Sequence, residues 1–180
     1  MYNDLDRILI TSDQIQQRIA QIANTLDNDY ADKNPVIVCI LKGSTLFFSD
    51  LVKNMKIPVV LDFISISSYG KATKSSGEVK MIKDLSESIE NRHVIVVEDI
   101  VDSGYTISYL VRMLSSRNPA SIKICSLLDK PSRRQVEVAP DYCGFEVEDY
   151  FVVGYGLDYD EKYRNLPEIG VLKPEVYSGK

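Results

Sequence analysis

Residues 94–107 read VIVVEDIVDSGYTI. Four apolar residues, Val94 to Val97, lead straight into Glu98 and Asp99, and Asp102 follows three positions later. An unbroken apolar run of this length fits a strand buried on both faces, as in a parallel sheet. Residues 105–117 have helical spacing, so Ser103, Gly104, Tyr105 and Thr106 stand at a strand-to-helix turn. Backbone N–H groups at a helix start carry partial positive charge and suit a phosphate. Gly104 lets the backbone come close, and Ser103 and Thr106 add hydroxyl donors. The turn is neither G-x-x-x-x-G-K-[ST] nor G-x-G-x-x-G. Taken alone, it reads equally well as an ordinary helix start capped by Ser103 or Asp102. The acids separate the two readings. A structural turn has no need of three carboxylates in five residues, because they repel. They make sense beside a phosphorylated sugar. Two acids accept from vicinal hydroxyls, directly or through Mg²⁺, and the third is free to move a proton.

The rest of the chain supplies a matching frame. A helix is expected over about 13–27, capped by Thr11, Ser12 or Asp13, with Ile15, Ile19, Ile22 and Leu26 on one face. Strands are expected at 35–41 (PVIVCIL), 59–67, 93–100, 121–129 and 150–156, with a helix at 44–55 between the first two. Strands alternating with helices predict an α/β protein with a central, mainly parallel sheet flanked by helices. The stretch SSYGKATKSSG (67–77) has no apolar anchor and predicts a mobile loop. The region after about 130 is richer in Pro, Gly and Tyr and predicts a smaller subregion beside the sheet. In open parallel sheets ligands sit at the carboxyl ends of strands. That directs attention to Lys42-Gly43, Ser67 onward, Glu98 to Thr106, Asp129-Lys130, and Gly154 to Asp158.

Composition narrows the function classes. The chain has 180 residues, 44% of them apolar, and a net charge of −5. One domain is expected, with core enough to need no disulfide or metal staple. The acidic balance argues against partners held by bulk positive charge, so neither nucleic acid nor membrane is expected. The first residues, MYNDLDRILIT, lack the basic-then-apolar plan of a secretion signal, and a cytoplasmic location is expected. Cys39, Cys125 and Cys143 form no C-x-x-C pair and read as reduced thiols, the first two within apolar runs. With His93 the lone histidine and no cysteine cluster, no zinc site is expected.

VIVVEDIVDSGYT resembles the signature of type I phosphoribosyltransferases, which bind 5-phosphoribosyl-1-pyrophosphate (PRPP). The wider chain resembles the hypoxanthine-guanine phosphoribosyltransferases. The matching blocks are ILKGS (40–44), SSYG (67–70), LLDKPSRR (127–134) and FVVGYGLDYDEKYRNLPEIGVL (151–172), in family order. The resemblance implies the type I phosphoribosyltransferase fold. It also implies a small hood, built largely from the region after about 130 plus N-terminal residues, within one domain spanning 1–180.

The resemblance further implies a purine salvage enzyme that transfers the phosphoribosyl group of PRPP to hypoxanthine or guanine, with Mg²⁺ as cofactor. Partners would be PRPP and a 6-oxopurine, and the chain would be a homo-oligomer, dimer or tetramer. Glu98 and Asp99 would face the ribose hydroxyls and Mg²⁺. Asp102 would exchange a proton with purine N7. Ser103, Gly104, Tyr105 and Thr106 would hold the 5′-phosphate. Lys42, Gly43 and Arg164 would meet pyrophosphate, with the peptide before Lys42 often cis in the family. Lys130 would donate to the purine 6-oxygen, Phe151 would stack on the base, and the Val152 backbone would read its edge. Asp158 would contact the purine and help hold a second Mg²⁺. The 67–77 loop would close as a lid. Tyr105 departs from the family, where Lys or an aliphatic residue is common, and its side chain receives no role. Two alternatives stay open: a xanthine- or guanine-preferring enzyme, and a nucleotide-sensing RNA-binding regulator on the same fold.

Overall fold

The computed structural model describes residues 1–68 and 79–178. The chain runs β1 (Leu5–Ile10), α1 (Ser12–Asp29), β2 (Val36–Leu41), α2 (Thr45–Asn54), β3 (Val60–Ser68) and β4 (Val79–Lys83). It continues through β5 (His93–Val101), α3 (Tyr105–Ser115), β6 (Ser121–Asp129), β7 (Tyr142–Glu146), β8 (Val152–Val153), β9 (Ile169–Leu172) and α4 (Pro174–Tyr177). Six strands form one sheet in the order β4-β3-β2-β5-β6-β7. All its pairings are parallel except β3 with β4. The expected α/β architecture is present. Most of the loop expected at 67–77 lies outside the described residues.

Side chains alternate between the two faces of the sheet, and helices cover both. Ile37, Cys39, Ile95 and Val97 join a core with Phe47 and Leu51 of α2 and with Ile15, Ile19, Ile22 and Leu26 of α1. Val36, Val38, Val94 and Val96 join a second core with Ile107, Leu110 and Leu114 of α3. Burying such a side chain stabilises by roughly 1.5–3 kcal/mol. The run 94–97 is fully buried, enough to hold the acids that follow it at a costly strand end. Helix α1 starts at a capping box: Thr11 accepts from Gln14 N–H, and the Gln14 side chain accepts from Thr11 N–H at 2.8 Å.

Two expectations need correction. The strand expected at 150–156 is only Val152–Val153, because Gly154 and Gly156 take positive φ (101° and 99°) and Tyr155 follows suit at 47°. And the region after 130 does not all leave the main sheet, since β7 pairs in parallel with β6 at its edge. A separate three-stranded sheet, β1-β9-β8, joins the two ends of the chain. Its core is Leu5, Val153, Tyr163, Leu166 and Leu172.

Candidate active site

Strand β5 delivers the acids and the turn that follows it. Helix α3 is entered through Gly104 at φ 88°, and no side chain of the described residues caps it. Neither Ser103 nor Asp102 caps the helix, so its leading N–H groups keep their capacity for an anion. A cavity of about 220 Å³ opens there, lined by Glu98, Asp99, Ser103, Gly104 and Thr106. The exposed Tyr105 side chain lines neither this cavity nor the larger one beside it. The loop after β6 braces the turn from behind. Gln135 N–H donates to Ser103 O at 3.0 Å. Arg134 Nη1 donates to Asp102 O at 2.6 Å, and its Nη2 pairs with Asp129. A Cβ at residue 104 would lie 2.6 Å from Val138, so the glycine also serves packing.

Glu98 is buried and Asp99 partly so. Burial, then the neighbouring Asp99 charge, pushes the Glu98 carboxyl well above its ordinary pKa, and burial pushes Asp99 upward. Asp99 Oδ1 accepts Ile100 N–H at 2.7 Å. Its Oδ2 lies so close to Gly43 that a Cβ there would overlap it. Gly43 O in turn abuts Gly156, where a Cβ would again overlap. The Leu41–Lys42 peptide is cis. Replacing Gly43 with Ala should push Asp99 aside, at a cost of about 1–3 kcal/mol in stability. Urea unfolding of Gly43→Ala checks this, and an unchanged midpoint would show that Asp99 is not wedged there.

The larger cavity, about 490 Å³, shares Asp99, Ile100 and Asp102 with the smaller one. Lys130, Phe151, Val152 and Asp158 line its other walls. Lys130 is buried at the end of β6, and its Nζ donates to Tyr150 O at 2.5 Å. Burial lowers its pKa, an effect that the Asp102 and Asp149 charges partly offset. A buried ammonium with one hydrogen-bond partner among the described residues has donors left for a ligand. Arg133 lies between acids: its Nε is 2.9 Å from Asp102 Oδ1 and its Nη1 is 3.1 Å from Asp149.

The cations assigned to pyrophosphate are paired within the chain. Lys42 Nζ is 3.2 Å from Glu161, both well exposed. Arg164 Nη2 is 2.9 Å from Asp158, and its Nη1 donates to Gly156 O at 2.7 Å. Glu98, Asp99 and Asp158 do not make a ready cage. Among the described residues no group of three His, Cys, Asp or Glu could hold a metal ion alone. Mg²⁺ asks for less, taking one or two carboxylates with substrate oxygens and water. The donors are hard oxygens, and a buried acid pair with raised pKa values lacks positive charge, so the set fits Mg²⁺.

The phosphoribosyl transferase domain model matches residues 10–160. The chain belongs to the phosphoribosyltransferase family. It is 50% identical over 177 residues to the hypoxanthine-guanine phosphoribosyltransferase of Bacillus subtilis, covering 98% of both chains. It is 52% identical over 178 residues to the bifunctional protein TilS/HprT of Listeria monocytogenes, spanning 99% of this chain but 28% of that longer protein. The crystal structure of a Staphylococcus aureus hypoxanthine phosphoribosyltransferase superposes with a TM-score of 0.95 at 48% identity, covering 98% of this chain and 96% of that one.

Within this phosphoribosyltransferase, the residues singled out from sequence converge on two adjoining cavities, except Lys42, Gly43, Arg164 and Tyr105, which line neither. Gly43 still touches Asp99, and Arg164 still reaches Asp158. Ile100, Arg133, Leu157 and Tyr177 also belong to the larger cavity. Arg133 lay inside the quoted LLDKPSRR block but received no role. Only the short 3-10 turn at Pro131–Arg133 brings it back to Asp102.

Proposed function

We infer that this protein is a purine salvage transferase that moves the phosphoribosyl group of PRPP to N9 of hypoxanthine or guanine. One observation carries the reading: Asp102 stands where a phosphate-sized cavity at an uncapped helix start meets a base-sized cavity holding Lys130 and Phe151.

The two cavities support the following assignment of roles. The N–H groups at the start of α3, with Ser103 and Thr106, take the 5′-phosphate. Glu98 and Asp99 take the ribose hydroxyls. The base enters the larger cavity, stacks on Phe151 and meets the Val152 backbone, and the Lys130 ammonium donates to its 6-oxygen. The N9 lone pair forms the new bond to C1 as the C1–oxygen bond breaks, and that electron pair leaves with pyrophosphate. Asp102 accepts the proton released at N7. Lys42 and Arg164 exchange their carboxylate partners for pyrophosphate oxygens, where a guanidinium matches paired acceptors. Bound Mg²⁺, held by Glu98, Asp99 and Asp158 together with substrate, would neutralise charge on the leaving group. The homo-oligomer implied by the resemblance remains part of this proposal.

Incubating the chain with PRPP, Mg²⁺ and each of five bases, and reading pyrophosphate release, tests the assignment. Hypoxanthine and guanine should react, adenine and uracil should not. Release only with xanthine would move the protein to the xanthine-preferring branch. The metal has its own test. EDTA should abolish turnover, and Mg²⁺ or Mn²⁺ should restore it, since the donors are oxygen alone. Full turnover after EDTA, without added metal, would remove the ion from the reaction.

A further inference from the structure

Phe151 has two aromatic neighbours that the roles above leave unused. Tyr177 of α4 stacks on it with 4.8 Å between ring centroids and 20° between planes. Tyr159 meets it edge-on at 5.5 Å and 88°. Phe151 nevertheless stays 38% exposed and lines the larger cavity. A ring has two faces. Tyr177 covers one, so a base can stack only on the other.

Tyr177 is itself anchored. With Val176 and Tyr159 it packs against the small core of Leu5, Val153, Tyr163, Leu166 and Leu172. Leu172 N–H donates to Phe151 O at 2.8 Å. The strand that leads into α4 is thus tied to the backbone of Phe151, and the helix returns Tyr177 to the ring. The contact joins residues 26 positions apart through the second sheet.

Resting on the functional reading above, we propose that Tyr177 is a positioning residue for the purine, holding the Phe151 ring from behind. A half-exposed phenylalanine at a strand edge samples several rotamers. A base that stacks on a loose ring must also order it, and that cost weakens binding. Tyr177 meets the ordering cost during folding, so the ring presents one fixed face before the base arrives. The effect belongs to the base site alone. It should appear when the base binds, leaving PRPP binding and the chemical step as they are. The stack supplies it, so the tyrosine hydroxyl is dispensable.

Steady-state kinetics at saturating PRPP test the proposal. Tyr177→Ala should raise KM for hypoxanthine roughly two- to tenfold, the usual worth of one aromatic pair. KM for PRPP and kcat should stay within about twofold, the mark of lost ground-state binding. Tyr177→Phe should behave as wild type. Tyr177→Trp places a single tryptophan in a chain that has none, and its emission should respond to hypoxanthine without any turnover. An unchanged KM for hypoxanthine in Tyr177→Ala overturns the proposal. A lowered KM also overturns it, because Tyr177 would then be occupying the base's place. Equal rises in both KM values with a lowered melting temperature would reduce Tyr177 to a structural role. A wild type that releases no pyrophosphate, while the tryptophan of Tyr177→Trp still reports hypoxanthine, overturns the functional reading and leaves the base-site proposal standing.

Discussion

Asp102→Asn should lose roughly 10²- to 10⁴-fold in turnover, the usual worth of a positioned acid or base. PRPP binding should survive. The donors proposed for the 5′-phosphate are the backbone N–H groups and hydroxyls after Asp102, and the Asp102 carbonyl, which stays in the variant, is what Arg134 Nη1 holds. The amide of Asn is nearly the same size as the carboxyl but cannot take a proton from N7 at neutral pH. One change does accompany the substitution: Arg133 loses its charged neighbour at Oδ1, 2.9 Å away. That pair is about half exposed, so its removal should cost little stability. Calorimetric titration with PRPP and Mg²⁺ separates binding from chemistry. A variant that binds PRPP and turns over near the wild-type rate would move proton transfer to another group.

Selectivity against adenine should be as large an effect, and it rests on Lys130. The buried ammonium donates and cannot accept, and Tyr150 O engages only part of its capacity. A 6-oxygen satisfies the remainder, whereas the amine of adenine brings a second donor. Sites built for one polar partner reject the mismatched analogue by up to about 10⁴–10⁵-fold. Wild-type kcat/KM should therefore fall by several orders of magnitude from hypoxanthine to adenine. Lys130→Ala should cost hypoxanthine and guanine about 1.5–3 kcal/mol, or roughly 10–100-fold, the worth of one charged hydrogen bond. Adenine should gain little, so the gap narrows mainly by damage to the good substrates. Lys130→Gln goes further, since its carbonyl can accept from the adenine amine. If wild type used adenine as fast as hypoxanthine, both the role of Lys130 and the 6-oxopurine assignment would have to be given up.

What was legible before the structure depended on range. The strands at 36–41, 93–101 and 121–129 are buried on both faces, so their apolar runs identify them without knowledge of any partner. β1 is different. Among the described residues, 5–10 pair only with 169–172, at the far end of the chain, and no local period announces that. β7 carries Gly144 and Tyr142 among partly buried residues and resembles a loop until β6 is beside it. At the site, the acids of 98–102 and the turn after them could be read from residue type and spacing. Lys130 stood at a strand end worth attention, but its role, like that of Phe151, came from resemblance, because a lysine after a strand and a phenylalanine before valines have bland readings too. Tyr177 could not be found at all. Its partner Phe151 is 26 residues away, and the helix that carries it has only four residues.

Three ion pairs around the candidate site bear on how it would treat anions. Lys42 faces Glu161, Arg164 faces Asp158, and Arg133 faces Asp102. The resting site is thus its own counter-ion atmosphere. A lone phosphate or chloride that meets one of these cations swaps one partner for another, with little net gain. A ligand that displaces several carboxylates at once, while also filling the start of α3, is rewarded for each contact after the first as an intramolecular event. Under the proposed function, internal competition of this kind would screen out the small anions abundant in any cell and favour a molecule carrying phosphates at both ends.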